Sequence, residues 1–142
     1  AAVDWSSKSG WYIDLPETGE RVVYAPKLFG KILYFPSLAP NSSVCSYGGD
    51  SWDTFVNYLT GAALEVSPFA GVPQVNTSSG TSAVPVRRKS QVGISPSGTP
   101  ISLGGGSGLF FKAGSKGETE AFGTNFGSTQ GRRVAWRELT AD

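Results

Sequence analysis

The chain has 142 residues, a formal net charge of +1 and a hydrophobic share of 39%, enough for one domain with its own core if the strands pair among themselves. It contains no histidine and one cysteine, which excludes Ser-His-Asp and Cys-His machinery, histidine-bearing zinc or haem sites and thiolate clusters. With 19 glycines, 9 prolines and 12% aromatic residues, it favours short strands joined by turns over long helices, so the expected fold class is all-β.

In chain order, residues 10–16 (GWYIDLP) alternate Trp11, Ile13 and Leu15 against Tyr12 and Asp14, the pattern of a half-buried strand closed by proline. Residues 21–38 (RVVYAPKLFGKILYFPSL) read as strand, turn, strand, punctuated by Pro26 and Gly30. Residues 51–66 alternate Trp52, Phe55 and Tyr58 less cleanly, with Thr60-Gly61 as a hairpin tip. The Ser/Thr/Gly/Pro-rich stretch 67–84 is expected to be a long surface loop. Beyond it, β-prone runs surround SPSGTP (95–100) and AGSKGE (113–118), both read as hairpin turns, and RRVAWREL (132–139) is strand-like. Tryptophans near three of these strand starts form a loose repeat, the kind of spacing that propeller blades give.

The charge is uneven. Residues 1–71 carry four basic and seven acidic groups, residues 72–142 eight basic and four acidic ones. Arg87, Arg88 and Lys89 and the pair Arg132 and Arg133 nevertheless read as solvated strand faces, because neither a denser basic stripe nor a nucleic-acid motif accompanies them. Three carboxylate pairs, Asp50 with Asp53, Glu118 with Glu120 and Glu17 with Glu20, lie in or beside expected turns and read as solvated turn charge. GGGSG (104–108) lacks the Lys-Ser/Thr of a phosphate loop and the helix behind it, and reads as a flexible hairpin turn. Asp50 and Asp53 offer too few oxygens for a calcium cage. No enzyme activity, cofactor or metal is expected. No apolar run approaches the ~20 residues of a membrane helix. The small-residue opening Ala-Ala-Val-Asp-Trp and the lack of methionine suggest a processed product or excised fragment.

Taken in order, GWYIDLPETGERVVYAPKLFGKILYF (10–35), PNSSVCSYGGDSW (40–52), RRKSQVGISPSGTPISL (87–103) and GRRVAWREL (131–139) resemble the C-terminal part of the PilC/PilY family of type IV pilus tip adhesins and assembly factors. The resemblance spans about residues 9–139. It implies the last blades of a modified β-propeller, an incomplete all-β module over residues 1–142 that acts at the bacterial cell surface after export. An arc of blades cannot close a ring, so its strand edges are expected to be completed by another chain or segment: the rest of the precursor, a pilin or a neighbouring subunit. Two readings of Cys45 stay open: an inter-chain disulfide, as an exported protein permits, or a small buried thiol. Gly48 and Gly49 are expected to supply a left-handed or tight backbone before the strand at Ser51. The function expected from all this is a non-enzymatic pilus-associated module for assembly, tip capping or attachment. The alternative is a subunit of an extracellular filament built by β-strand addition.

Overall fold

Alternating apolar residues and glycine-bearing turns produce nine strands and no helix among the residues described by the computed structural model, which are 3–43, 46–70, 75–76, 82–83 and 86–126. The strands are β1 (Lys27–Phe29), β2 (Ile32–Pro40), β3 (Gly49–Asn57), β4 (Val75–Asn76), β5 (Ser82–Ala83), β6 (Arg87–Lys89), β7 (Thr99–Gly104), β8 (Ser107–Ala113) and β9 (Thr119–Asn125). All pairings between them are antiparallel, giving a four-stranded sheet β1-β2-β3-β6, a three-stranded sheet β7-β8-β9 and the small ladder β4-β5. The sheets do not close into a barrel. The all-β expectation holds.

Strands β2 and β3 run side by side over nine residue pairs, from Ile32 opposite Asn57 to Pro40 opposite Gly49. Proline in an internal strand is normally excluded because it cannot donate to the ladder. Here Leu38 exchanges bonds of 2.8 and 2.9 Å with Arg21, on the side of β2 away from β3. By the two-residue alternation of ladder bonds, the missing N–H of Pro36 points to that same side, into the gap between β1 and the Arg21 bridge. The turn into β3 needs glycine: Gly48 and Gly49 have φ of 87° and 142°, and a Cβ on Gly49 would stand 2.2 Å from the Ala39 carbonyl oxygen. The backbone expected of this pair is the one observed.

The two central strands of the four-stranded sheet, β2 and β3, are buried on both faces. One face carries Ile32, Tyr34, Phe55 and Asp53 toward the second sheet, where Phe110 lies 4.6 Å from Tyr34 and 5.6 Å from Phe55, ring centre to ring centre. The other face, with Phe35, Ser37, Trp52, Thr54 and Val56 buried, meets the N-terminal segment. Arg87 stacks over Trp52 at 4.6 Å and reaches Glu20 at 2.7 Å, while the Ser37 hydroxyl donates to the same Glu20 carboxylate. A charge-assisted pair with no exposed carboxylate surface thus pins the segment to the sheet.

Several local expectations are corrected. Residues 11–16 form no strand: Tyr12 is 85% exposed, and Trp11 instead donates its indole N–H to the Tyr58 carbonyl at 2.9 Å. The alternation there is real, but among the described residues no strand pairs with it. Of 21–25, only Arg21 makes a bridge. Thr60-Gly61 does form a turn, closed by Asn57 and Ala62, yet no return strand follows at 62–66. The stretch 67–84 is not surface loop throughout, because Ser67, Pro68 and Phe69 are buried and β4 and β5 lie within it. SPSGTP carries the chain from β6 in one sheet to β7 in the other instead of turning a hairpin, whereas AGSKGE and the glycine run 104–106 do turn hairpins. RRVAWREL lies outside the described residues.

Candidate functional site

The three-stranded sheet is where sequence alternation becomes a surface. In β8, Gly108, Phe110 and Lys112 point inward and are buried, while Ser107, Leu109, Phe111 and Ala113 point outward. Cross-strand partners share a face, so the pairs Ile101–Leu109, Thr99–Phe111, Leu109–Gly123 and Phe111–Ala121 all present outward. The result is an exposed apolar row: Ile101 is 48% exposed, Leu103 63%, Leu109 38% and Phe111 45%.

Beside this row runs a groove of about 550 Å³ whose lining includes Val66, Ala70, Leu103, Leu109 and Gly123. Its origin is local. Ala70 donates to the Gly123 carbonyl at 2.9 Å and Asn125 to the Pro68 carbonyl at 3.0 Å, so residues 68–70 extend the sheet beyond β9. Gly123 allows this approach, since a Cβ there would lie 2.8 Å from that of Ala70. Its missing side chain also leaves the hollow next to Leu109.

Among the described residues, β1, β6 and β7 have no further strand on their outer sides. Each edge is nonetheless blunted. Strand β1 has three residues, β6 presents Arg87 and Lys89, and Pro100 sits in β7 with its nitrogen on the outer edge by ladder alternation. Such edges resist indiscriminate pairing.

Polar side chains gather in a second place, between the sheets. Lys112 contacts Asp53 Oδ2, with 0% and 1% of the two side chains exposed. Lys112 Nζ is 3.8 Å from Glu120 Oε2, which accepts from Ser90 Oγ and from the Gln91 N–H, both at 3.2 Å. Glu120 Oε1 is in ionic contact with Arg88, without hydrogen-bond alignment, and Arg88 lies 4.3 Å over the Phe122 ring. Tyr34 donates its hydroxyl to Asp53 Oδ1 at 3.0 Å and accepts from the Gly98 N–H at 3.3 Å. Burial, and after it the negative charge of Asp53, raises the Tyr34 phenol well above the ordinary tyrosine value.

This cluster overturns the reading of the carboxylate pairs as solvated turn charge. One member of each pair is buried and ion-paired: Asp53 with Lys112, Glu120 with Arg88 and Glu20 with Arg87. Arg87 and Arg88 are likewise half-buried and paired instead of forming a solvated face; Lys89, bonded to Asp50 at 2.9 Å, is the exposed one. Strand parity held a clue that sequence reading missed, since Lys112 shares its parity with Phe110. Among the described residues no group of three or more His, Cys, Asp or Glu is placed to hold a metal ion. Cys45 lies outside the described residues. No described helix is long and apolar enough to cross a membrane. Comparison with protein-family models, curated proteins and solved structures finds no match.

Proposed function

We propose that the chain is a non-enzymatic, exported module of a type IV pilus-associated adhesin, serving pilus assembly, tip capping or surface attachment by contact with another protein chain. The observation that carries this reading is the outer face of β7-β8-β9, where Ile101, Leu103, Leu109 and Phe111 stand exposed beside a groove. Apolar rows of this kind on a sheet favour a protein partner over solvent. Two antiparallel sheets packed face to face also fit neighbouring blades of a propeller arc, as the resemblance to the PilC/PilY family implies. The filament alternative draws less support, because the short, charged and proline-bearing edges oppose repeated strand addition.

The test is binding of immobilised chain to purified type IV pili from the producing organism, with wild type and a Leu109→Lys/Phe111→Lys double variant. Saturable wild-type binding that weakens at least roughly tenfold in the variant, about 1.4 kcal/mol, is expected. Absence of wild-type binding, or equal binding by both, refutes the proposal. Long uniform fibres of the purified chain in negative stain would instead favour the filament reading.

A further inference from the structure

Lysine is among the residues least often fully enclosed, and an enclosed one calls for a reason. Lys112 and Asp53 come from opposing sheets, 59 residues apart, and meet with their side chains shut off from solvent. The Phe122 ring lies 6.0 Å from the lysine nitrogen, and Tyr34 and Phe110 are fully buried in the core between the sheets. A primary amine and a carboxyl group held together out of reach of bulk solvent are freed from both obstacles that amide formation meets in solution. An enclosed amine and acid become reactive once a proton passes from ammonium to carboxylate, giving a neutral pair that needs no hydration, and enclosure keeps bulk water from reversing the condensation. Well-oriented intramolecular pairs reach effective molarities of roughly 10⁵–10⁸ M.

We infer that Lys112 and Asp53 are joined by an intramolecular amide between Nζ and Cγ, formed in the folded chain with Glu120 as proton carrier. The Nζ lone pair attacks Cγ, and the electrons of the Cγ–Oδ1 double bond move onto Oδ1. Tyr34 already donates to that oxygen at 3.0 Å and so stabilises the developing negative charge. Glu120 Oε2, 3.8 Å from Nζ and held in place by Ser90 and Gln91, takes a proton from the nitrogen and passes it to Oδ2. The Cγ–Oδ2 bond breaks, water departs and the carbonyl reforms on Oδ1. One amine and one carboxylic acid become one amide and one water, Glu120 returns to its starting state, and no oxidant or reductant takes part. The bond ties the two sheets covalently. It does not depend on the pilus reading.

Mass spectrometry of the intact full chain under denaturing conditions tests this. The folded wild type is expected one water lighter than its sequence, and peptide mapping is expected to yield a branched peptide joining Lys112 to Asp53. Asp53→Ala and Lys112→Met are expected at their full sequence masses. Glu120→Gln, shown to be folded by its near-ultraviolet circular dichroism, is expected to form the bond roughly 10²-fold more slowly or not at all. A wild type at full sequence mass overturns the inference, as does a lost water that maps elsewhere. Bond formation in Glu120→Gln at the wild-type rate overturns the role given to Glu120. The wild-type mass is decisive even if a variant fails to fold.

Discussion

Phe110 and Phe111 are sequence neighbours with opposite fates, and replacing each by alanine measures whether the two sheets share one core. Phe110 is fully buried, with ring centres at 4.6 Å to Tyr34, 5.6 Å to Phe55 and 5.4 Å to Phe122. Phe110→Ala removes the ring from between the sheets and leaves a cavity that Tyr34 and Asp53, tied by their hydrogen bond, are poorly placed to fill. Such truncations cost about 3–5 kcal/mol, a large fraction of the 5–15 kcal/mol of stability that domains typically possess. With a urea m-value of about 1.5 kcal/mol/M, a loss of about 4 kcal/mol lowers the unfolding midpoint by between roughly 2 and 3 M. Phe111 is 45% exposed, so Phe111→Ala should cost about 1 kcal/mol or less. Equilibrium urea unfolding followed by tryptophan fluorescence provides the comparison. Equal midpoints for the two variants, or a larger loss at Phe111, would refute both the strand parity and the shared core.

Glu20→Ala leaves Arg87 and the Ser37 hydroxyl without their carboxylate partner; a loss of about 2–3 kcal/mol is expected, together with faster proteolysis within residues 10–25, whereas Glu20→Gln should cost less. Gly49→Ala must place a Cβ 2.2 Å from the Ala39 carbonyl at a φ of 142°, so a loss above about 3 kcal/mol or insoluble expression is expected, against a smaller loss of about 1–2 kcal/mol for Gly105→Ser on the exposed β7–β8 turn, where a Cβ meets nothing within 4 Å and only the φ of 60° is strained. The raised Tyr34 phenol makes stability pH-dependent on the alkaline side. The unfolded chain releases that proton from about pH 10 while the folded chain keeps it, so stability is intact below that pH and falls above it by about 1.4 kcal/mol per pH unit. Chemical denaturation between pH 9 and about 11.5 should show this slope in wild type and a shallower one in Tyr34→Phe.

Where sequence reading succeeded, the signal was local. The hairpins at AGSKGE and at the glycine run 104–106, and the left-handed turn at Gly48-Gly49, follow from residue types that few other conformations suit. Where it failed, the outcome depended on a distant partner. GWYIDLP alternates as well as any true strand, yet no edge among the described residues receives it, and Trp11 packs against Gly61 and bonds to Tyr58. Phe69, in a stretch whose composition says loop, is drawn into the core, where its ring lies 5.4 Å from Phe55.

The amino-acid sequence by itself determined the class of structure: short strands with an inward and an outward face, because the two-residue period and the turn residues act within a few positions of one another. Which carboxylates would be enclosed and which solvated was beyond its reach, since Asp53, Glu120 and Glu20 owe their burial to Lys112, Arg88 and Arg87, up to 67 residues away in the chain. Only the stacking of the two sheets brings those charges together. The same stacking leaves the row from Ile101 to Phe111 facing outward, because one face of the three-stranded sheet is used up by the core and the other has no second layer among the described residues.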